Sequence, residues 1–466
     1  MKLSTHAETS GRYHTNWLNM IYPRLKLARN LLSDDGVIFI SIDDNELENL
    51  KKICNEIFGE YNYIGNFIWQ KQGNDNKSIF SGVKTFRNDH ELTIVYAKIK
   101  LNLEFERPEE KIEFKNNYGN ADNDPRGNWM SAELGKSDAR SLSHGKNYFT
   151  LTAPNGIQWT RQWYFNKKDM DELIEDNKIY FGKDGSSVPR LKKFITETRK
   201  KIPSSLLTNQ GSTKIGQSEL DGLFNGKRYF DYPKPSMLIK YLIRLLKSES
   251  SIILDFFSGS CTTAHATMEI NREYNCNRKF IMVQLPEPTD KKSESYKAGH
   301  KNICEIGKER IRRAGDKILS ESENKEVDIG FKVFKLDSSN LNKWNPDYNN
   351  LEKTLIDSSE NLVPGRTELD LIYEIMLKYG IDLTFTIEEF DVNNKKIYSI
   401  GFGALLICLD NNITKEIATE IIKLKEKLSP ETTRVVFKDN GFASDSDKTN
   451  IKETLKTHDI DEFITI

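Results

Sequence analysis

The stretch that most constrains the fold of this chain is Asp255–Ala266, which reads Asp-Phe-Phe-Ser-Gly-Ser-Cys-Thr-Thr-Ala-His-Ala. It follows the apolar run Ser251–Leu254 and leads into a helical pattern that extends to Arg272. A short apolar run of this kind is typical of a strand in a parallel sheet that is covered on both faces. The loop therefore joins the C-terminal end of a predicted strand to a helix N-terminus, a position where open α/β sheets bind ligands.

Small residues make up the turn of this loop. Gly259 lets the backbone come close to a ligand, and Ser258, Ser260 and Cys261 are small enough to leave that approach open. A tight connection that binds no ligand has the same pattern, so the loop alone leaves both interpretations open.

Helices and strands alternate near the start of the chain. Apolar residues at helical spacing from Trp17 to Leu32 precede a continuous apolar strand, Val37–Ile42, and a second helix follows it. Asp43 is predicted to cap this second helix, with Glu46 completing a capping box. The order helix, strand, helix indicates a doubly wound α/β sheet.

Two extended runs, Tyr63–Trp69 and Glu91–Lys98, are predicted to pair antiparallel and to close one edge of that sheet. The next segment, residues 101–230, has short strand-like pieces and many Asn, Gly and aromatic residues. We interpret it as an inserted, irregular, partly β domain. Within it, Lys183–Lys214 holds eight basic residues against two acidic ones, which suits phosphate contacts to a duplex. Charge alone favours a solvated surface instead.

The insert ends at Tyr232-Pro233-Lys234-Pro235, and an amphipathic helix leads from there to the small-residue loop. A second buried strand is predicted over Lys279–Leu285. Gln284 at the end of this strand is placed to reach a ribose hydroxyl, as is Glu287 shortly after it. Alternatively, these two residues only cap the next segment.

The tail beyond residue 320 has α/β character. Its strands are predicted at Phe331–Leu336, Ile400–Leu409 and Thr433–Phe437, and it contains no recognisable catalytic group of residues. We therefore interpret the tail as a docking or assembly domain.

Composition limits the class of protein. Lys and Arg (68) balance Asp and Glu (69), so a nucleic-acid surface has to be a local patch. The five cysteines have neither metal-ligand spacing nor an even count for disulfides, which suits a reducing compartment. No signal peptide or membrane-spanning run is evident, so we expect a cytoplasmic protein without a membrane partner or a metal.

Four segments together resemble the modification (Mod) subunit of type III restriction-modification systems, which are adenine-N6 DNA methyltransferases that use S-adenosyl-L-methionine. These segments are Gly36–Glu46, Tyr232–Pro235, Asp255–Ala266 and Phe280–Glu287. The resemblance implies a Rossmann-like methyltransferase sheet with an inserted α+β target-recognition domain and a C-terminal α/β domain. It also implies duplex DNA, a second copy of the chain and a restriction (Res) subunit as partners.

The resemblance also implies functional residues. The cofactor loop of the family corresponds here to Asp255, Phe256, Phe257, Ser258, Gly259, Ser260, Cys261, Thr262 and Thr263, with Lys234, Pro235, Gln284 and Glu287 as further cofactor-binding residues. The last loop position is commonly Gly or Ala in the family, whereas this chain has the bulkier Cys261, and the ribose-binding acid is replaced by Gln284. The DNA-binding residues implied by the target-recognition region are Arg190, Lys192, Lys193, Arg199, Lys200 and Lys201.

The catalytic tetrapeptide of the family, Asp-Pro-Pro-Tyr or a close variant, has no counterpart, because no two of the thirteen prolines are adjacent. In the family this tetrapeptide hydrogen-bonds the amino group of a flipped adenine and stacks on its ring. We therefore predict no catalytic residues in this sequence. We expect a sheet that is incomplete on its N-terminal side, and a need for an N-terminal fragment that carries the motif.

The resemblance and the changes in sequence character along the chain predict four segments. They are a first methyltransferase part (1–100), the target-recognition insert (101–230), the cofactor-binding part (231–320) and a C-terminal assembly domain (321–466). The leading hypothesis is a DNA adenine methyltransferase subunit that is inactive alone. The alternatives are a DNA-binding or assembly module without chemistry and a truncated remnant of such a subunit.

Overall fold

The computed structural model describes residues 13–72, 87–107, 109–111, 117–200, 202–322, 327–342 and 362–466. The chain divides into two compact units, residues 1–330 and residues 331–466. Within the described ranges, no helix is both long and apolar enough to cross a membrane. The five cysteines are free thiols.

The first unit contains most of the helices and strands. Its helices are α1 (Tyr13–Leu31), α2 (Leu47–Phe58), α3 (Lys167–Glu175), α4 (Thr213–Leu223), α5 (Ser236–Arg244), α6 (Thr262–Tyr274), α7 (Glu294–Lys297) and α8 (Ile303–Ser320). Its strands are β1 (Val37–Ile42), β2 (Tyr63–Gln70), β3 (His90–Ala97), β4 (Glu109–Lys111), β5 (Trp129–Glu133), β6 (Tyr148–Thr152), β7 (Gln158–Gln162), β8 (Ile179–Tyr180), β9 (Arg190–Phe194), β10 (Thr198–Lys200), β11 (Leu206–Leu207), β12 (Ile252–Asp255) and β13 (Lys279–Met282).

Two separate sheets form the centre of this unit. One has the order β1-β3-β2-β11, in which β3 runs antiparallel to both β1 and β2 and β11 runs parallel to β2. The other consists of the parallel pair β12 and β13. Among the described residues, β1 pairs only with β3, and β12 pairs only with β13. Strands β1 and β12 therefore each have one unpaired edge within these residues.

Helix α5 packs against both sheets. Leu238, Tyr241 and Leu242 pack in a cluster with Phe67 and Trp69 of the four-stranded sheet. Ile243, on the same helix, packs with Ile253 of β12 and with α6. On the opposite face, α1 and α2 cover β1, and the same cluster includes Ile40, Ile42 and Phe256, the residue that follows β12. The end of β12 and the end of β1 thus contribute to one core.

The structure corrects two sequence-based predictions about this region. Strand β12 was expected to be covered on both faces, yet Ile252 is 63% exposed, and Ile281 and Val283 of the adjoining chain are about half exposed. Within the described part of the chain, the face that carries these side chains is therefore exposed to solvent. The predicted cap of α2 is also wrong: the helix begins after Glu46 without a side-chain cap, and Asp43 instead accepts a bond from the Asn45 amide.

The insert contains small sheets, β5-β9-β8 and β6-β7, together with the pair β10-β4. Its core includes Leu134, Leu151, Trp163, Met170 and Ile179. This confirms the irregular, partly β character predicted for the segment, which carries the short helices α3 and α4.

The second unit is a five-stranded sheet with helices packed on it. Its strands are β14 (Ile387–Val392), β15 (Lys395–Ile400), β16 (Leu405–Cys408), β17 (Arg434–Phe437) and β18 (Glu462–Thr465), and its helices are α9 (Glu368–Lys378), α10 (Glu416–Leu428) and α11 (Asp445–Lys456). The sheet order follows the chain, antiparallel from β14 to β16 and parallel from β16 to β18. The strand predicted over Phe331–Leu336 is wrong, because that segment pairs with no strand and Leu336 is exposed.

Candidate functional site: the loop between β12 and α6

The carboxylate of Asp255 braces the small-residue loop from within. Its Oδ1 accepts the backbone N–H of Phe257 at 3.2 Å, and its Oδ2 accepts the Thr263 hydroxyl at 2.6 Å. Both oxygens are therefore used to hold the loop against the first turn of α6. Position 255 thus fixes the shape of the loop, in addition to the cofactor contact predicted for it.

The loop also bonds to the segment that follows β13. Gly259 donates its backbone N–H to Gln284 Oε1 at 2.8 Å, and Ser258 donates its backbone N–H to the Val283 carbonyl at 3.2 Å. The side-chain nitrogen of Gln284 donates to the Leu285 carbonyl. Gln284 is thus next to the loop, and its amide oxygen is engaged with the loop backbone. The ribose contact predicted for it stays a prediction.

Gly259 has a φ of +50°, a left-handed conformation that glycine adopts without strain. A Cβ at this position would lie 3.4 Å from Cζ of Phe230. The Phe230 ring therefore borders the loop, although its position was not predicted from the sequence. The only available signal was its place just before Tyr232-Pro233-Lys234-Pro235.

The thiol of Cys261 points into the protein. Cys261 is buried, with a φ of +60°, and its Sγ lies 3.7 Å from the Ser258 hydroxyl. A Cβ at Gly307 of α8 would lie 2.6 Å from this sulfur, so Gly307 makes room for it. Burial raises the pKa of the thiol to about 11. The bulk of Cys261 is thus accommodated towards α8.

Helix α6 begins at Thr262 without a side-chain cap. The uncapped amides of a first turn, together with the helix dipole, favour an anionic group. Beneath this turn lies Arg310 of α8, which is fully buried and donates to the hydroxyls of Ser260 and Thr262 at 2.9 and 2.6 Å. Arg310 was not predicted from the sequence, although it occupies the apolar stripe Ile306–Arg310–Ala314–Ile318 at steps of four.

The remaining predicted cofactor residues contact other parts of the unit. Lys234 forms an ion pair with Glu91 of β3, and its Nζ lies 5.3 Å from the centre of the Trp69 ring. Pro235 is buried against Gly211. Glu287 is exposed, and its backbone bonds to Leu285 and Ile303.

The basic stretch of the insert is only partly available for DNA. Lys192 is fully buried, with its Nζ 2.9 Å from Asp124 Oδ2, paired with Asp122 and 5.7 Å from the centre of the Trp129 ring. The prediction of a DNA contact at Lys192 is therefore corrected, because its charge is neutralised inside the insert. Arg190 and Lys193 are half-buried on β9.

The other three basic residues belong to β10 or follow it directly in the sequence. Arg199 and Lys200 belong to β10, whose backbone pairs with β4, and their side chains are outside the described part of the chain. Lys201 lies outside the described residues. DNA contacts by these three residues stay predictions.

Comparison with known proteins identifies the family. The family described as DNA methylase matches residues 3–314. The EcoPI Mod subunit of Escherichia phage P1, a type III restriction-modification enzyme, is 30% identical over 484 residues, which cover 96% of this chain and 72% of the phage protein. The chain belongs to the DNA methylase family. It is similar in particular to Mod subunits.

A second relative of the methylase is the StyLTI Mod subunit of Salmonella typhimurium. It is 36% identical over 323 residues, which are 69% of this chain and 48% of the Salmonella protein. The chain thus spans about half the length of this relative. The PvuII DNA methyltransferase (cytosine-N4-specific) has 13% sequence identity, with a TM-score of 0.30 over 69% of this chain and 84% of that one.

The loop between β12 and α6 could hold S-adenosyl-L-methionine, the cofactor that the family implies. A close backbone approach at Gly259, an uncapped helix start at Thr262 and the buried cation Arg310 suit a ligand that carries a carboxylate. When bound, the cofactor supplies the methyl group. The residues that could hold it are those of the loop Phe257–Thr263, and their contacts to the cofactor stay predictions.

Proposed function

We propose that this chain is the cofactor-binding and target-recognition part of a type III modification subunit. In this proposal it transfers a methyl group from S-adenosyl-L-methionine to N6 of adenine in duplex DNA once its sheet is completed. The observation that carries the proposal is the loop between β12 and α6, with Gly259 at positive φ and the uncapped helix start. The 30% identity to the EcoPI Mod subunit supports the substrate class.

We further propose that these 466 residues are inactive alone. The sequence has no adjacent prolines, so it lacks the Asp-Pro-Pro-Tyr motif that would receive the flipped adenine. Within the described residues, β1 and β12 each have one unpaired edge, which supports a site for a further strand. The occupant we propose is the strand that carries this motif, supplied by a segment not contained in this sequence.

Methyl transfer from labelled S-adenosyl-L-methionine to duplex DNA tests both parts of the proposal. The purified chain alone is expected to transfer no label. Co-expression with a fragment that contains the corresponding Asp-Pro-Pro-Tyr segment of a Mod subunit is expected to restore transfer. A fragment with its first motif residue changed to Ala is the control. Transfer by the chain alone would show that the motif is dispensable. No transfer by the chain, either alone or together with the intact fragment, would count against the proposed methyltransferase activity.

The proposed partners are duplex DNA, a second copy of the chain and a restriction subunit, in the cytoplasm. The second candidate function is a DNA-binding or assembly module without chemistry, which the unpaired sheet edges favour. DNA binding in gel shifts together with absent cofactor binding in calorimetry would support that alternative. A truncated remnant would instead give aggregated protein without a cooperative thermal transition.

A further inference from the structure

Arg310 brings a positive charge directly beneath the small-residue loop. The side chain extends from α8 and is completely buried. Its Nη1 donates to Ser260 Oγ at 2.9 Å and to Thr262 Oγ1 at 2.6 Å. These two hydroxyls flank Cys261, where the loop turns into α6. The guanidinium therefore supports the turn at which the uncapped amides of α6 begin.

Within the described residues, the groups that contact this guanidinium at hydrogen-bond distance are all neutral. Besides the two hydroxyls, Nη2 lies 3.5 Å from Nδ1 of His265, and Nε has no hydrogen-bond partner. Burial and the charge of Arg310 lower the pKa of His265 to about 3, so this imidazole is neutral at physiological pH. Burial also lowers the pKa of Arg310 to about 10, which leaves it charged.

The nearest carboxylates serve other groups. Glu269 pairs with Lys240 and lies 3.5 Å from Nε2 of His265, and Glu219 accepts bonds from the backbone and hydroxyl of Ser236. They raise the pKa of Arg310 through space, without a direct ion pair to it. A buried cation with neutral contacts is costly to a fold unless an anion compensates it. The positive end of α6 adds to this potential on the same side of the loop.

S-adenosyl-L-methionine carries one carboxylate, on its methionine end, whereas its ammonium and sulfonium groups are positive. A positive potential at one end of the loop attracts only the carboxylate and repels the other two groups. We propose that Arg310 is a positioning residue that directs the methionine carboxylate towards the first turn of α6. It does so by holding the Ser260 and Thr262 hydroxyls and through its own charge, which has no direct ion pair within the described residues. This inference rests on the proposed function and deepens it.

A pair of ligands separates this role from a general effect on folding. S-adenosylhomocysteine has the methionine-derived carboxylate, whereas 5′-methylthioadenosine has the same adenosine and thioether without it. Calorimetry on the full chain gives the affinity for each. Arg310→Gln keeps a hydrogen-bond donor without the charge, and Arg310→Lys keeps the charge. Arg312→Gln, on the exposed side of α8, removes the same charge as a control.

We expect Arg310→Gln to weaken S-adenosylhomocysteine binding about tenfold or more, with less than about a twofold change for 5′-methylthioadenosine. Arg310→Lys should retain most of the preference for the carboxylate ligand, and Arg312→Gln should retain all of it. Equal weakening of both ligands, or no weakening of either, overturns the inference while leaving the proposed function intact. If the wild-type chain binds neither nucleoside, the proposed function and the inference fail together.

Discussion

The backbone N–H of Gly259 and the side-chain oxygen of Gln284 are joined by a hydrogen bond of 2.8 Å. This bond links the loop after β12 to the segment after β13, so the shape of the cofactor loop depends on a side chain 25 residues away.

Replacing Gln284 by Leu should weaken S-adenosyl-L-methionine binding about five- to thirtyfold. The reason is that the Gly259 amide loses its acceptor, at a cost of about 1–2 kcal/mol. Gln284→Glu keeps an acceptor and should retain most of the affinity. Calorimetric titration measures both variants, and Gln158→Leu on the exposed face of β7 is the control. Unchanged affinity in Gln284→Leu would show that the loop holds its shape without this bond.

Replacing Gly259 by Val should abolish cofactor binding. The left-handed conformation disfavours a β-branched residue by about 1–2 kcal/mol, and the new side chain would press on Phe230. Gly226→Val is the matched control, because Gly226 also has a positive φ, +80°, but has no atom within 4 Å of a Cβ. Equal effects of the two variants on binding would mean that general strain, rather than the loop, is responsible.

Replacing Lys192 by Met should destabilise the insert by about 1–3 kcal/mol, because the buried Asp124 carboxylate loses its lysine partner but keeps its ion pair with Arg126. Lys193→Met, at the next position of β9, should change stability by less than about 0.5 kcal/mol.

Lys193→Gln should affect DNA binding instead. It should lower the slope of log affinity against log salt concentration by about one, with exposed Lys168→Gln as its control. Urea unfolding and salt-titrated gel shifts measure the two effects; a slope unchanged in Lys193→Gln would remove this residue from the DNA interface.

Acid should weaken the second unit through Glu374. Burial acts to raise the pKa of this carboxyl, but bonds from Lys378, Ser339 and the Asn340 amide lower it to about 2. Since the pKa is depressed in the folded state, the stabilisation is fully present above the unfolded value of about 4.3 and is lost as pH falls towards 2. The stability difference between wild type and Glu374→Gln should therefore shrink from pH 5 to pH 2. A pH-independent difference in urea unfolding would contradict this assignment.

Local patterns predicted most of the helices and strands. The apolar spacing of α1, the apolar run of β1 and the helix after the small-residue loop all depend on neighbours in sequence, and their positions were predicted within a few residues. The loop itself was predictable because its small residues lie between an apolar run and a helix. The cap of α2 was not, since Asp43 finds a nearer partner in Asn45.

Features that depend on distant residues could not be predicted. Lys192 counted as a surface charge because its partner Asp124 lies 68 positions earlier in the chain. The role of Arg310 depends on the Ser260 and Thr262 hydroxyls, which lie 50 and 48 positions earlier in the chain. The exposure of β12 likewise depends on which elements pack on the faces of its sheet. The apolar pattern of the strand itself does not show this.

Helix α5 has one further consequence for assembly. Because it packs on β2 of one sheet and on β12 of the other, both sheets are held in place by the same nine-residue helix. An incoming strand would meet a preorganised template and would lose its own conformational freedom, with little ordering required of the template. The rate of reconstitution should then depend on the concentration of the incoming segment and on its propensity to form a strand. Substitutions that destabilise α5 should slow reconstitution even though they leave every residue of the cofactor loop unchanged.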